Sequence, residues 1–275
     1  ADALIEASQL NDAVAESNPT GTKYFPFSGL LVARQNNWMV SVKGFSQYIW
    51  DFEGSTTENL YGRYLSYDHV EYSDLVNHYR SLDINVNSDP NWDWRQIPGT
   101  TTKALSTTNL NFNKVGKHRN FSTSTFLGGI GFDDRCAIFT NQLHDNTFDT
   151  GFYADKSVFV FGNVFYCMGS GIKSRSTTVP FNTTLFQNRL SVNATPFYMN
   201  GTEITTDVNK VSNATIKDNF GNTYIVNDGL TSIKNGANYC MAYIEHGNII
   251  DNAKYGYAWL VQADDQQINQ YKSGS

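Results

Sequence analysis

Two carboxylates five residues apart, Glu53 and Glu58, lie in the stretch Ile49-Trp50-Asp51-Phe52-Glu53-Gly54-Ser55-Thr56-Thr57-Glu58-Asn59-Leu60-Tyr61-Gly62-Arg63-Tyr64. Acids among aromatic rings and small polar residues suit a loop that grips a sugar or steers a proton. The same stretch reads equally as a solvated turn joining two strands. A second stretch runs Asn91-Trp92-Asp93-Trp94-Arg95-Gln96-Ile97-Pro98-Gly99-Thr100-Thr101-Thr102. Its Trp92 and Trp94 have the flat faces that stack on sugar rings, and Arg95 has the fork that clasps a carboxylate or sulfate. The competing reading is two core tryptophans and a surface arginine.

Other familiar chemistries are missing. The five histidines, His69, His78, His118, His144 and His246, form no HxH or HExxH pair, so a zinc site is not expected. His246 follows an apolar run and reads as a hydrogen-bonded structural histidine. Cys136, Cys167 and Cys240 make no CxxC pair and read as buried thiols. Gly128-Gly129-Ile130-Gly131 lacks the lysine of a phosphate loop.

These groups need elements to hold them. The 275 residues suffice for a large core, and the aromatic share of 14% against 17% charged residues marks a globular chain. Apolar residues at helical spacing in residues 1–17 predict a helix stopped by Asn18-Pro19-Thr20-Gly21. From Tyr24 onward the texture is that of strands. Residues 38–43, 157–161, 164–168, 223–226, 239–244 and 256–261 are rich in β-branched and aromatic residues and are separated by Gly, Asn, Asp and Ser. Phe161-Gly162-Asn163-Val164 reads as a tight hairpin turn. Many short strands without intervening helices predict an all-β fold, an antiparallel sandwich or barrel, with a short N-terminal helix. Residues 1–22 are expected to be a helical linker from a preceding domain or a flap on the β core, 23–262 the β domain, and 263–275 a polar tail or linker.

The formal charge of −6 and pI of about 5.3 argue against a nucleic-acid partner. They also mean that a polyanionic ligand would need a local group of cations. No apolar run approaches the roughly 18 residues that cross a bilayer as a helix, so no membrane partner is expected.

Several segments together resemble polysaccharide lyase family 8, the hyaluronate and chondroitin lyases. Glu58-Asn59-Leu60-Tyr61-Gly62-Arg63-Tyr64 is similar to the family's G-E-N-x-x-G-[WR]-Y loop. Arg95 to Thr101 is similar to R-[IM]-P-G-T-T, and Trp92-Asp93-Trp94 leans towards the chondroitinase ABC branch. Residues 157–172, ending Met168-Gly169-Ser170-Gly171-Ile172, resemble the hairpin that closes on L-G-S-G-I. Thr183-Thr184-Leu185-Phe186-Gln187-Asn188-Arg189 resembles E-T-T-x-x-x-N-R with Asn182 in place of Glu. Ile244-Glu245-His246-Gly247 through Asn252-Ala253-Lys254-Tyr255-Gly256-Tyr257 is similar to I-D-H-G-x-x-P-x-N-A-x-Y-x-Y.

The resemblance implies the β-super-sandwich portion of a lyase whose catalytic Asn, His, Tyr and Arg lie on a preceding α/α toroid. No segment here matches the motifs that carry those four. It implies one catalytic-site residue from this chain, Glu53, which would orient the toroid's Arg and His. Trp92, Trp94 and Arg95 are the expected substrate contacts. The expected reaction is β-elimination at a uronic acid of chondroitin, dermatan or hyaluronan, giving unsaturated oligosaccharides. It requires no cofactor, and a structural divalent cation is compatible with it. The partners would be an anionic polysaccharide and the toroid portion of the same enzyme, the location secreted or periplasmic, and the isolated chain inactive. Two alternatives remain open: a non-catalytic carbohydrate-binding sandwich, and a lyase for another uronic polysaccharide such as alginate, xanthan or a heparin-like chain.

Overall fold

The computed structural model describes residues 5, 6, 8, 9, 17–53, 60–74, 92–110, 120–146, 149–174, 178–190 and 196–274. The strands, in chain order, are β1 (Gly21–Phe25), β2 (Leu30–Arg34), β3 (Trp38–Lys43), β4 (His69–Asp74), β5 (Thr101–Lys103), β6 (Leu127–Phe132), β7 (Cys136–Asp145), β8 (Phe152–Phe161), β9 (Val164–Ser174), β10 (Phe181–Arg189), β11 (Tyr198–Met199), β12 (Thr202–Glu203), β13 (Val208–Val211), β14 (Ala214–Lys217), β15 (Thr223–Asp228), β16 (Leu230–Asn235), β17 (Tyr239–Gly247) and β18 (Ile250–Leu260). Two α-helices, α1 (Thr107–Leu110) and α2 (Asp265–Ser273), and two short 3-10 helices, Pro26–Ser28 and Gly62–Tyr64, have described bounds.

The strands form three antiparallel sheets. One has four strands in the order β1-β2-β3-β4, one has five in the order β13-β16-β17-β10-β5, and one has nine in the order β12-β11-β14-β15-β18-β9-β8-β7-β6. Aromatic contacts show how they stack. Trp38 of β3 meets Phe165 of β9 with ring centroids 6.0 Å apart, and Tyr72 of β4 meets Trp259 of β18 at 6.1 Å. Phe181 of β10 stacks on Phe152 of β8 at 5.4 Å, and Phe186 meets Tyr224 of β15 at 5.1 Å. The nine-stranded sheet is therefore one layer, and the other two sheets cover its inner face. The alternation in β8, where Phe152, Ala154, Lys156, Val158 and Val160 are buried and Tyr153 and Asp155 exposed, is the period-two pattern of a half-buried strand. The fold is the all-β antiparallel sandwich expected from the sequence.

Several local expectations are met. Residues 38–43 are strand β3, and the Gly162-Asn163 turn joins β8 to β9 with Gly162 at φ +62°. Other expectations need correction. Residues 263–275 were expected as a polar tail or linker, but residues 265–273 are helix α2. Asp264 caps it by accepting from the Gln267 backbone N–H at 2.8 Å, and Gln267 reciprocates with the Asp264 backbone N–H at 3.1 Å. Ile268 anchors α2 in a small cluster with Ile225, Ala258, Leu260 and Ala263. Of the N-terminal helix expected over residues 1–17, Ile5, Glu6 and Ser8 are helical and most of the remainder lies outside the described residues. Cys167 and Cys240 are buried, but Cys136 is partly exposed.

The glycine cluster turns out to be a packing device on β6. A Cβ on Gly129 would stand 2.7 Å from the Tyr24 ring, and one on Gly131 would stand 2.8 Å from the Thr22 carbonyl oxygen. Glycine is what lets β1 of the smaller sheet press against the margin of the larger one.

Candidate functional site

Glu53 stands exposed at the end of a clamped ledge. The two residues before it, Asp51 and Phe52, are buried. Asp51 and Asn120 bind each other reciprocally. The Asp51 N–H donates to the Asn120 carbonyl at 2.9 Å, and the Asn120 N–H donates to Asp51 Oδ1 at 3.0 Å. The Ser66 hydroxyl donates to the Asp51 carbonyl. Further along, the Gln47 N–H donates to the Ser124 carbonyl at 2.8 Å and the Ser122 N–H to the Ser46 carbonyl at 3.2 Å. Residues 46–51 and 120–124 thus run side by side outside the main sheets. On top of them Trp50, 44% exposed, meets Phe121, 42% exposed, edge to face at 6.3 Å. A side chain on such a support reaches outward from a fixed backbone. Thr56, Glu58 and Asn59, which carry part of the loop resemblance, lie outside the described residues.

Trp92 and Trp94 require a correction. They are 4% and 6% exposed, too little to offer a ring face to a sugar. Trp92 packs edge to face on Tyr239 of β17 at 5.2 Å and on Trp94 at 6.3 Å. Their segment is sutured to β10 by Gln187, whose amide nitrogen donates to the carbonyls of Asp93 and Gln96 at 3.0 and 2.9 Å. The Gln187 amide oxygen accepts from the Asp93 N–H at 2.8 Å. Thr184 adds a hydroxyl bond to Gln96 Oε1 at 2.7 Å. The two tryptophans are core pins. Arg95 does reach the surface, but Asp93 holds it in a two-point clasp of 2.7 and 2.8 Å, which neutralises its charge locally and pushes its pKa up. Glu53 and Arg95 therefore hang from different supports, the first from residue 120 and the turn at residues 62–66, the second from β10.

The sequence reading missed a polar cavity of about 290 Å³ near the same turn. Phe152 and Phe181 line it, with Asp145, Asp149, Lys103 and Arg63. Lys103 pairs with Asp149 at 3.1 Å, the Tyr67 hydroxyl donates to Asp145 Oδ2 at 2.6 Å, and Arg63 donates to the Asn109 carbonyl at 2.9 Å. Four separate stretches of chain converge here, so no spacing motif could have revealed it. Burial pushes the Tyr64 and Tyr67 phenols far up, so neither serves as a proton-accepting base near neutrality. His246 is a packed, hydrogen-bonded residue, as expected. Its Nε2 lies 2.7 Å from Thr183 Oγ1, its ring lies against Tyr255, and burial lowers its pKa to about 4. Among the described residues no group of three or more His, Cys, Asp or Glu is placed to hold a metal.

Comparison with known proteins agrees with this architecture. The chain is 26% identical to the chondroitin sulfate ABC exolyase of Proteus vulgaris over 299 residues, 94% of this chain and 29% of that protein. It is also 26% identical to the chondroitin sulfate ABC endolyase of the same organism, over 92% of this chain and 27% of that protein. The chain therefore spans under a third of the length of these relatives. Among solved structures, the fold matches a chondroitinase AC lyase at a TM-score of 0.74 and 19% identity, over 90% of this chain and 38% of that one. It matches a Paenibacillus xanthan lyase at a TM-score of 0.77 and 17% identity, over 99% of this chain and 28% of that one. The family model for polysaccharide lyase family 8, super-sandwich domain, matches residues 20–231, and the chain belongs to that family.

Proposed function

We propose that this chain is the sandwich wall of a glycosaminoglycan lyase that cleaves chondroitin, dermatan or hyaluronan by β-elimination. In that reaction the C5 proton of a uronic acid is removed, the C4–O bond breaks, a C4=C5 double bond forms and the departing sugar oxygen takes up a proton. The C5 proton is weakly acidic, so the adjoining carboxylate must meet hydrogen-bond donors as charge develops. In this reading a tyrosine on an α/α toroid portion moves the protons. Glu53 is a positioning residue that fixes the geometry of the toroid's cation and histidine. This chain without the toroid is inactive. The polymer lies outside the cytoplasm, so the protein is secreted or periplasmic.

The observation that supports the reading best is the placement of Glu53. It is exposed, directly follows two buried residues, and is carried by a ledge locked through the Asp51–Asn120 pair. A carboxylate presented on a rigid support suits a residue that must hold a neighbour to within fractions of an ångström. The test uses the longer enzyme and follows absorbance of the unsaturated product. Glu53→Gln lowers kcat about 100-fold while KM moves less than about threefold, the pattern of lost positioning rather than lost binding. Glu53→Asp recovers part of the rate, and circular dichroism checks that each variant remains folded. Wild-type kinetics in Glu53→Gln would overturn the role. A panel with alginate, xanthan and heparin-like chains, scored for the same product, fixes the substrate class.

A further inference from the structure

A second groove, of about 450 Å³, opens on the outward face of the nine-stranded sheet, away from the cavity beside Arg63. Its floor is a ladder of side chains across three neighbouring strands. His144 of β7 pairs in register with Tyr153 of β8, which pairs with Lys173 of β9. The His144 and Tyr153 rings lie flat on each other with centroids 4.0 Å apart and planes 10° apart. The Lys173 ammonium sits 4.9 Å from the centre of the Tyr153 ring. Thr123 fixes the histidine by a 2.7 Å contact between its hydroxyl and Nδ1. The next rung on the same face carries the exposed Gln142 and Asp155.

Two features make this more than surface texture. Lys173 and Asp155 are both exposed, and among the described residues neither forms an ion pair. Lys173 is nonetheless held in place by the ring beneath it, so presenting its charge costs little side-chain entropy. The groove also joins the Glu53 ledge through one short segment. Asn120 clasps Asp51, Phe121 meets Trp50, and Thr123 and Ser124 line the groove.

We infer that this groove is a remote polysaccharide subsite in which Lys173 binds an anionic sugar and Gln142 and Asp155 bind the hydroxyls or acetamide of its neighbour. The class of ligand rests on the lyase reading. A chain with net charge −6 repels a polyanion at long range, so an unpaired, preplaced cation at the far end of a continuous strip is what such a ligand needs. The anion is a uronate carboxylate or a sulfate ester, and the two differ in which glycan binds.

The test is titration calorimetry of this chain with decasaccharides of hyaluronan, which has carboxylates only, and of chondroitin 4-sulfate. Both bind if Lys173 takes the carboxylate, and only the sulfated chain binds if it takes the ester. Lys173→Met weakens binding about tenfold or more, the scale of one lost charge-assisted hydrogen bond, and Tyr153→Ala weakens it by releasing the lysine. Both side chains are exposed, and circular dichroism checks that each variant remains folded. Binding unchanged in both variants, or absent in the wild type, overturns the subsite. If the longer enzyme still forms product in a Glu53-dependent way, the lyase reading survives that result. Groove binding that persists in a longer enzyme forming no unsaturated product overturns the lyase reading instead.

Discussion

Replacing Lys156 by methionine tests whether the sandwich holds its functional margin from within. Lys156 is on the buried side of β8, 4% exposed, and donates to the carbonyls of Tyr67 and Gly99 at 3.0 and 2.8 Å. It lies 3.7 Å from the Asp68 carboxylate, which also accepts from Asn141 Nδ2 at 2.8 Å. Burial pushes the Asp68 pKa up and the Lys156 pKa down, and their attraction opposes both shifts. One ammonium thus staples two loops to the large sheet, the turn that supports Asp51 through Ser66 and the turn that follows the Trp92 segment. Removing it leaves a buried carboxylate without its paired cation, with only the field of Lys43 remaining, and two carbonyls without that donor. Breaking such a pair costs about 3–5 kcal/mol, and in a chain of this size each kcal/mol moves the melting point roughly 2–4 °C, so a drop of about 10 °C follows. Urea unfolding at pH 7 gives the free energy directly. The loss shrinks on acidification, because Asp68 freed of its cation is more readily protonated and a neutral carboxyl tolerates burial. Asp68→Asn added to Lys156→Met recovers part of the loss for the same reason. A loss under about 1 kcal/mol, or a double variant no more stable than the single one, would refute this account.

Other outcomes follow from the same geometry. Burial lowers the pKa of His246 to about 4 and that of His69 to about 3, so between each folded value and the ordinary 6.5 the unfolded chain binds the extra proton. Stability therefore falls as pH drops from 6.5 towards 4, by about 3 kcal/mol for His246 alone. Asp218, raised to about 6 by burial, contributes in the opposite direction: as pH falls from about 6 towards the ordinary 3.8 the folded chain binds its proton first, which adds stability and offsets part of the histidine loss. His246→Gln flattens the acid limb in denaturant titrations at stepped pH, and an unchanged limb would exclude His246 as its source. Trp92→Ala costs about 3–5 kcal/mol through the cavity it leaves, read by thermal unfolding. Glycan affinity of the folded variant stays at the wild-type level, and a selective loss of affinity would return Trp92 to the binding surface.

The fold was legible because strand signals are local. Trp38-Met39-Val40-Ser41-Val42-Lys43 alternates burial along the whole of β3, and Gly162-Asn163 sets its own turn. Helix α2 was not legible: Asp264 and Gln267 have the spacing of a capping box, but the polar composition around Ile268 concealed it. The site was far less legible. Trp92 looks the same in sequence whether it faces a sugar or Tyr239. Lys103, Asp145 and Asp149 meet only after residues more than 40 positions apart are brought together. The motifs carrying the family resemblance include scaffold hydrogen bonds. Thr183, Thr184 and Gln187 are fully buried and tie β10 to its neighbours.

The way the sheets end bears on how the protein behaves in concentrated solution. An open strand margin is a template on which another molecule can add its own strand. β12 has two residues and β5 three, too short to seed such growth. β13 is broken by a register shift at Lys210, which takes a left-handed backbone at φ +56°. β1 and β6 shield each other where the glycines let them touch. Among the described residues five of the six margins are thus blunted, which protects a strand-rich chain from intermolecular fibril formation.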